Sequence, residues 1–399
     1  MELKKLLLFV SCLYFVFGAS IRQVHSDFGL NAIELIEKYG YPVEVHQIHT
    51  DDGYILETHR IPHGKNNQNN ALRIPVLLVP GVVCGSADWV NMGATNSLGF
   101  ILADHGYDVW LANYRGTTWS RKHETLHADV NKKEFFDYSF QEIGAYDLPA
   151  NINHILNATH QENLIYIAHS QGTASFFAMA ASKPEYNNKI RIMIAFAPIA
   201  YTTHMEQMIF NWLSSQENLD LFNEFVDKYE LYEIMPYSPS LSTIAQTFCN
   251  DDSILQRFCA EIFYFISGRS IYFNMTMIPV IASNTPAGSS AKTFSHFAQL
   301  SIANSFQKYD YGEVINEEEY GQSTPPKYDL RQVTSPVALY YSDNDLLSAV
   351  TDVDRLSSEL SNVVVKKMVN GYNHLDYLWA TNSVQMLYND VLEQIKNYS

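Results

Sequence analysis

Eight short apolar runs, several of them unbroken by polar residues, place the strongest constraint on how this chain folds. A strand covered on one face alternates apolar and polar side chains, whereas a parallel strand covered on both faces forms a continuous apolar run. Helix-like segments at 147–158, 173–182 and 353–360 lie between or beside these runs. This alternation predicts an α/β fold with a mostly parallel, doubly wound sheet. The predicted strands are 43–48, 54–61, 74–79, 108–112, 164–168, 190–197, 337–341 and 363–369.

The stretch 204–325 interrupts this alternation and is dense in aromatic residues. We interpret it as an inserted, mainly helical cap. The core is then formed by two separated segments, 21–203 and 326–399, and residues 1–20 precede it.

Residues 1–20 read M-E-L-K-K-L-L-L-F-V-S-C-L-Y-F-V-F-G-A-S: basic at the front, apolar in the middle and small at the end. This pattern is typical of a secretory signal peptide, and its apolar run is too short to span a bilayer. No later stretch has spanning length, so we expect no transmembrane segment. Glycosylation motifs at Asn157, Asn274 and Asn397 fit passage through the secretory route.

The formal net charge of −17 argues against nucleic acid or an anionic membrane as an electrostatic partner.

Cys12 leaves with the signal peptide, so three cysteines remain. Cys249 and Cys259 are close in sequence and secretion permits oxidation, so we predict that they form a disulfide. Cys84 is then a free thiol that we expect to be buried.

The stretch N-L-I-Y-I-A-H-S-Q-G-T at 163–173 points to chemistry. An apolar run leads to Ser170, the chain turns, and a helical stretch follows. A nucleophilic serine needs a hydroxyl exposed on such a turn, a histidine to take its proton and an acid to orient the histidine. Gly172 and Ala168 supply the small residues that let strand and helix pack closely around the turn.

In α/β-hydrolases the order along the chain is serine, then acid, then histidine. His374 is the only histidine after His296 and follows an apolar run. The acid should follow a late strand, where P-V-A-L-Y-Y-S-D-N-D-L-L offers both Asp343 and Asp345. The position of the acid stays open between these two on this argument.

Two backbone N–H groups are needed to stabilise the oxyanion of an ester-cleaving transition state. One belongs to Gln171, the residue after the nucleophile. The second belongs to a loop after an early strand, and I-P-V-L-L-V-P-G-V-V-C-G-S fits this requirement. Gly81 allows a tight turn there, and the N–H of Val82 is the predicted donor.

The chain resembles the acid lipase family of gastric and lysosomal lipases nearly from end to end after the signal peptide. The stretches that carry the resemblance are T-D-D-G-Y-I-L-E-T-H-R-I-P at 50–62, D-V-W-L-A-N-Y-R-G-T-T-W-S-R at 108–121, F-D-Y-S-F-Q-E-I-G-A-Y-D-L-P-A at 136–150, A-H-S-Q-G-T at 168–173, N-T-P-A-G-S-S at 284–290, D-L-L at 345–347 and Y-N-H-L-D-Y-L-W at 372–379.

The resemblance implies an α/β-hydrolase fold and a Ser170–Asp345–His374 triad, with Asp345 rather than Asp343 as the acid. It implies oxyanion donors at Val82 and Gln171, the same disulfide, and a cap with a lid that opens at a lipid surface. The implied function is hydrolysis of neutral lipid esters, triacylglycerols or sterol esters, through an acyl-enzyme and without a cofactor.

Three residues depart from the family pattern. Ala168 stands where relatives carry glycine, Pro80 replaces a histidine beside Gly81, and Cys84 occupies a position that is small in relatives. No metal-binding spacing of His, Cys or acidic residues occurs, and no phosphate-binding glycine loop occurs. Two alternatives remain: a catalytically silent lipid-binding or storage homologue, and a carboxylesterase for small esters. No prediction is made for the oligomeric state.

Overall fold

The structure, a computed structural model, describes residues 25–66 and 72–399. The predicted signal peptide, 1–20, lies outside the described residues. The strands are β1 Glu44–His49, β2 Tyr54–Ile61, β3 Pro75–Val79, β4 Asp108–Leu111, β5 Lys122–His123, β6 Leu164–His169, β7 Ile190–Phe196, β8 Glu233–Ile234, β9 Ser289–Ser290, β10 Val337–Tyr341 and β11 Val363–Met368. The main sheet has the strand order β1-β2-β4-β3-β6-β7-β10-β11, with β5 paired to β2.

The sheet is parallel from β4 to β11 and antiparallel only at β1, β2 and β5. The central strands β3 and β6 are buried along their whole length, as expected for strands covered on both faces. All eight predicted strands are present, each within one residue of its predicted bounds. The sequence analysis missed β5, β8 and β9, which have two residues each and are too short to show a period.

Alternate residues of one strand contribute to two different hydrophobic cores. Leu164, Tyr166 and Ala168 of β6 pack in one core, whereas Ile165 and Ile167 pack in the other. Helices therefore cover both faces of the sheet, which confirms the predicted doubly wound α/β arrangement. The α-helices are α1 Ala32–Lys38, α2 Leu98–Asp104, α3 Lys132–Phe135, α4 Phe140–Glu142, α5 Leu148–Thr159, α6 Gln171–Ser182, α7 Met208–Leu213, α8 Gln216–Tyr229, α9 Pro239–Phe248, α10 Gln256–Ser267, α11 Ile278–Ile281, α12 Ala291–Ala303, α13 Glu313–Tyr320, α14 Val350–Glu359, α15 Asp376–Trp379 and α16 Asn389–Lys396.

Helices α7 to α13 lie along the chain between β7 and β10, together with the antiparallel pair β8–β9. The helical content of this stretch agrees with the sequence analysis, whereas its assignment to a separate cap at 204–325 stays a prediction. None of the helices in the two described ranges is long and apolar enough to cross a bilayer.

Cys249 and Cys259 form the predicted disulfide, which links the end of α9 to α10 across a sequence separation of 10. Cys84 is free and buried, also as predicted. Closing so short a loop stabilises the folded protein by about 2.5–3 kcal/mol in the chain-entropy model, because the unfolded chain is constrained.

We expect the double variant Cys249→Ser/Cys259→Ser to unfold about 3 °C below the wild type, given the unfolding entropy of a chain of this size. Differential scanning calorimetry measures the shift. The wild type in a reductant, with free thiols verified by mass spectrometry, should show the same lower midpoint. Equal midpoints for the oxidised and fully reduced protein would contradict this expectation.

Candidate active site

Four chain segments that carry predicted site residues meet at one edge of the sheet. Strands β3, β6, β10 and β11 are parallel, so their carboxyl ends lie along the same edge. Val82 follows β3, Ser170 follows β6, Asp345 follows β10 and His374 follows β11. Ligands of open α/β sheets bind outside this edge.

Ser170 occupies a strained turn between β6 and α6. Its backbone has φ +53° and ψ −120°, a conformation that costs a residue with a side chain about 1–3 kcal/mol. The surrounding structure holds it there: the Ser170 N–H donates to the carbonyl of Phe196 at 3.0 Å, and the Thr173 hydroxyl donates to the Ser170 carbonyl at 2.6 Å. The turn explains why α6 begins at Gln171, two residues before the predicted start.

Ser170, His374 and Asp345 form a continuous hydrogen-bonded chain. The Nε2 of His374 lies 2.8 Å from the Oγ of Ser170, and its Nδ1 lies 2.9 Å from each carboxylate oxygen of Asp345. The side chains of all three are buried or nearly so. With Nδ1–H donating to the carboxylate, Nε2 is the acceptor for the serine hydroxyl, as a general base requires.

Asp345 is held in its ionised form. Burial favours the neutral acid, but the His374 imidazole and two backbone hydrogen bonds hold the pKa of the Asp345 carboxyl below its ordinary value. These bonds come from the N–H groups of Leu347 and Ser348, each at 2.9 Å. Asp343, the other candidate, is exposed and accepts a bond from Gly371 N–H at 2.8 Å instead.

His169 also belongs to this site, and the sequence analysis did not single it out. Its Nε2–H donates to the backbone carbonyl of His374 at 2.7 Å, and the two rings lie 4.8 Å apart. Burial, together with repulsion from His374, lowers the pKa of His169 to about 3, so it stays neutral at every working pH above that. Its place immediately before the serine was the only signal in the sequence.

Gly172 and Gly81 are required by close packing around Ser170. A Cβ at Gly172 would lie 2.9 Å from the carbonyl oxygens of Val79 and Pro80, and a Cβ at Gly81 would lie 2.8 Å from the His169 ring. Ala168, in contrast, is fully buried in the sheet between β3 and β7, where its methyl group is accommodated.

The two predicted oxyanion donors belong to segments that adjoin Ser170: Gln171 follows it in sequence, and Val82 follows Gly81, where a Cβ would lie 3.2 Å from the Cβ of Ser170. Gln171 is the first residue of α6, where backbone N–H groups have no acceptor within the helix. Val82 lines the same cavity as Ser170 and His374. Their roles as donors stay a prediction.

A cavity of about 490 Å³ opens at Ser170 and His374. Its far walls are apolar and come mainly from α9 and α10, with the disulfide between them. Several of these wall residues, including Leu241, Ile244, Phe248, Phe258 and Ile262, are solvent-exposed. The cavity therefore has an apolar wall that is open to solvent, and its size and lining suit an apolar ligand.

Among the described residues, no group of three or more His, Cys, Asp or Glu side chains is arranged to hold a metal ion. Of the three glycosylation motifs, Asn157 and Asn397 are exposed and Asn274 is half-buried.

Two family models match the chain. Residues 32–93 match a partial alpha/beta-hydrolase lipase region, and residues 74–381 match the alpha/beta hydrolase fold. The chain is 38% identical over 366 residues to gastric triacylglycerol lipase of Bos taurus, covering 91% of this chain and 90% of the relative. It is 35% identical over 386 residues to lysosomal acid lipase/cholesteryl ester hydrolase of Homo sapiens, covering 96% and 94% respectively.

Among solved structures, the fold is similar to that of a soluble variant of monoglyceride lipase from Saccharomyces cerevisiae in complex with a substrate analog. The TM-score is 0.51 at 14% identity, over 90% of this chain and 99% of that one. At that identity the similarity shows the fold alone.

Proposed function

The chain belongs to the family of gastric and lysosomal acid lipases and is a carboxylic ester hydrolase, and on that basis we propose that Ser170, His374 and Asp345 are its catalytic triad. The observation that carries the proposal is the 2.8 Å contact between the Ser170 hydroxyl and His374 Nε2 at the end of an apolar cavity. The 2.9 Å contacts from His374 Nδ1 to Asp345 complete the arrangement.

The reaction has two halves. The Ser170 Oγ attacks the ester carbonyl carbon while His374 Nε2 takes the hydroxyl proton, which gives a tetrahedral oxyanion. The C–O bond to the alcohol then breaks, and the imidazolium gives that proton to the departing alkoxide, leaving an acyl-enzyme. A water molecule then attacks the acyl carbonyl carbon while His374 Nε2 takes its proton; the bond between that carbon and Ser170 Oγ breaks, and the imidazolium returns the proton to Oγ, which releases the fatty acid and the free serine.

Asp345 orients the imidazole and stabilises its protonated form without taking the proton itself. Its two backbone hydrogen bonds hold the carboxylate in place. The N–H groups of Val82 and Gln171 bind the oxyanion, and loss of one such donor typically lowers the rate about 10²–10³-fold.

The substrates are esters of neutral lipids, triacylglycerols or sterol esters, taken from a lipid–water interface. The apolar walls of the cavity accommodate acyl chains. Most of the large apolar side chains that the structure describes as exposed lie between residues 208 and 271, and seven of them line the cavity: Met235, Leu241, Ile244, Phe248, Leu255, Phe258 and Ile262. An exposed apolar surface of this extent marks a binding site for a lipid phase or another apolar partner.

The protein acts outside the cytosol, either secreted or in the lysosome. This location is supported by the gastric and lysosomal names of its relatives, the leader-like residues 1–20, the disulfide and the two exposed glycosylation motifs, Asn157 and Asn397. The stretch 204–325 forms the cap over the site.

We expect the purified protein to hydrolyse emulsified triolein or cholesteryl oleate with higher kcat/KM than soluble short-chain esters, because long acyl chains fill the apolar cavity. Fatty-acid release measures this, and covalent labelling of Ser170 by a fluorophosphonate tests the nucleophile. A protein that binds long-chain esters but neither labels nor turns over is a silent lipid carrier. Turnover of short esters alone identifies a small-ester carboxylesterase.

A further inference from the structure

The oxyanion loop, residues 81–88, contains a strained turn next to Ser170. Val83 has φ +55°, a left-handed conformation that is unfavourable for a β-branched residue. Within the described ranges, one backbone hydrogen bond closes the turn, from Cys84 N–H to the Gly81 carbonyl at 3.2 Å. Such a backbone conformation persists where contacts with other segments of the chain hold it. The position of the Val82 N–H depends on the conformation of its neighbour Val83.

Those contacts come from the turn 285–287, which meets the loop at two points. The Ala287 N–H donates to the Val83 carbonyl at 2.7 Å. The Thr285 hydroxyl donates to Oδ1 of Asp88 at 2.6 Å. Oδ2 of the same carboxyl group accepts the N–H of Gly85 at 2.7 Å. Asp88 thus connects the loop to the turn across nearly two hundred residues of sequence.

We propose that Asp88 is a positioning residue for the oxyanion loop, whose carboxyl group clamps Gly85 to Thr285 and so keeps the Val82 N–H beside Ser170. This proposal rests on the proposed function, because it assumes that Val82 is an oxyanion donor. Asp88 itself does not line the cavity, so it acts through the loop.

The surroundings of Asp88 favour its neutral form. Within the described part of the chain its side-chain contacts come from Gly85, Asn91, Thr285 and the buried Cys84 thiol, and no basic side chain is among them. Burial therefore raises the pKa of Asp88 to about 6, with the hydrogen bonds opposing this shift. The Thr285 hydroxyl donates to Oδ1 of the ionised carboxylate; in the neutral acid the proton on Oδ1 donates to the Thr285 hydroxyl oxygen instead, and Oδ2 accepts from Gly85 N–H in both forms.

Asparagine has the same pattern, an acceptor oxygen and a donor nitrogen, but cannot ionise. Above a pH of about 6, the wild type acquires a buried negative charge in the loop that must stabilise an oxyanion, whereas Asp88→Asn does not. The pH dependence of the ratio of the two kcat values isolates this group, because His374 and Asp345 are common to both proteins.

The test measures kcat and KM on a soluble ester from pH 4.5 to 8 for Asp88→Ala, Asp88→Asn and Thr285→Val. We expect Asp88→Ala to lower kcat about 10–10²-fold at pH 5 with KM changed less than about threefold, since one oxyanion donor is displaced. Asp88→Asn should stay within about threefold of the wild type at pH 5 and exceed it several-fold at pH 7.5. Thr285→Val should lower kcat about 3–10-fold. The exposed Asp354→Asn serves as a control with wild-type rates.

Thermal unfolding gives a second readout, because the pKa shift of Asp88 fixes the direction in which stability changes with pH. Because the pKa of Asp88 is raised in the folded state, the folded protein keeps a proton that the unfolded chain releases between the ordinary value, 3.8, and about 6. Wild-type stability therefore falls relative to Asp88→Asn as the pH rises through that window. Should Asp88→Ala fail to fold, this comparison and Thr285→Val carry the test.

A folded Asp88→Ala with wild-type kcat, or a wild-type to Asp88→Asn ratio that does not change with pH, overturns the proposal. The proposed function fails separately, through retained activity in Ser170→Ala or through absence of fluorophosphonate labelling in the wild type. If Ser170→Ala loses labelling and turnover while Asp88→Ala keeps the wild-type kcat, the proposed function stands and only the role of Asp88 is refuted.

Discussion

Replacing Ser170 with alanine is expected to lower kcat for ester hydrolysis by about 10⁴–10⁶-fold, since serine hydrolases without their nucleophile retain only the contribution of the oxyanion hole and binding. Ester binding should remain, because the apolar cavity is unchanged by the loss of one hydroxyl group. Initial rates on a soluble chromogenic ester, with active-site titration of the wild type, measure the loss.

Ser175 provides the matched control. It lies on the same helix, α6, is fully buried, and its hydroxyl has no hydrogen-bond partner among the described atoms. Ser175→Ala should therefore keep wild-type activity and a similar unfolding midpoint. If Ser170→Ala retained more than about one-tenth of the activity while folded, another group would have to be the nucleophile.

The second large effect concerns the acid. Asp345→Asn should lower kcat by about 10⁴-fold with little change in KM, because an amide group in place of the carboxylate favours the wrong imidazole tautomer and does not stabilise the imidazolium. The carboxamide fills the same volume and can still accept the N–H groups of Leu347 and Ser348. A pH–rate profile separates a loss of catalysis from a shift in the titration of the base.

Asp343→Asn is the control for this substitution, two residues away in the same loop. Asp343 is exposed, and an asparagine oxygen can still accept the Gly371 N–H. We expect less than a threefold change in kcat. A large loss in Asp343→Asn with none in Asp345→Asn would contradict the assignment of the acid.

Much of this architecture is readable from the sequence because it depends on local patterns. The unbroken apolar runs predicted β3 and β6, since strands buried on both faces need no polar residues. Parallel strands bring their carboxyl ends to one edge, so a reactive residue after each predicted strand was enough to anticipate the meeting of Ser170 and His374.

Local sequence patterns do not identify the acid of the triad. Asp343 and Asp345 both follow β10, and strand-end reasoning does not distinguish them. Family resemblance favoured Asp345, and the structure places Asp345 rather than Asp343 against His374. What separates them is the geometry of one turn, which also directs two backbone N–H groups to the buried carboxylate.

Two other features had no readable pattern. The Asp88–Thr285 contact joins residues 197 positions apart, and the hydrogen bond from His169 to the His374 carbonyl joins residues 205 apart. Each depends on tertiary packing between segments whose separate sequences look ordinary. Burial is the largest cause of the pKa shifts of Asp88 and His169, and sequence composition does not predict that these two polar side chains are buried.

The order of the site residues along the chain has a consequence for biosynthesis. Asp345 and His374 follow the helices that wall the cavity, whereas Ser170 precedes them. A nascent polypeptide therefore contains the serine and both wall helices, α9 and α10, before the ribosome has translated either of its partners. Ester cleavage by the proposed triad therefore cannot begin before translation has passed residue 374.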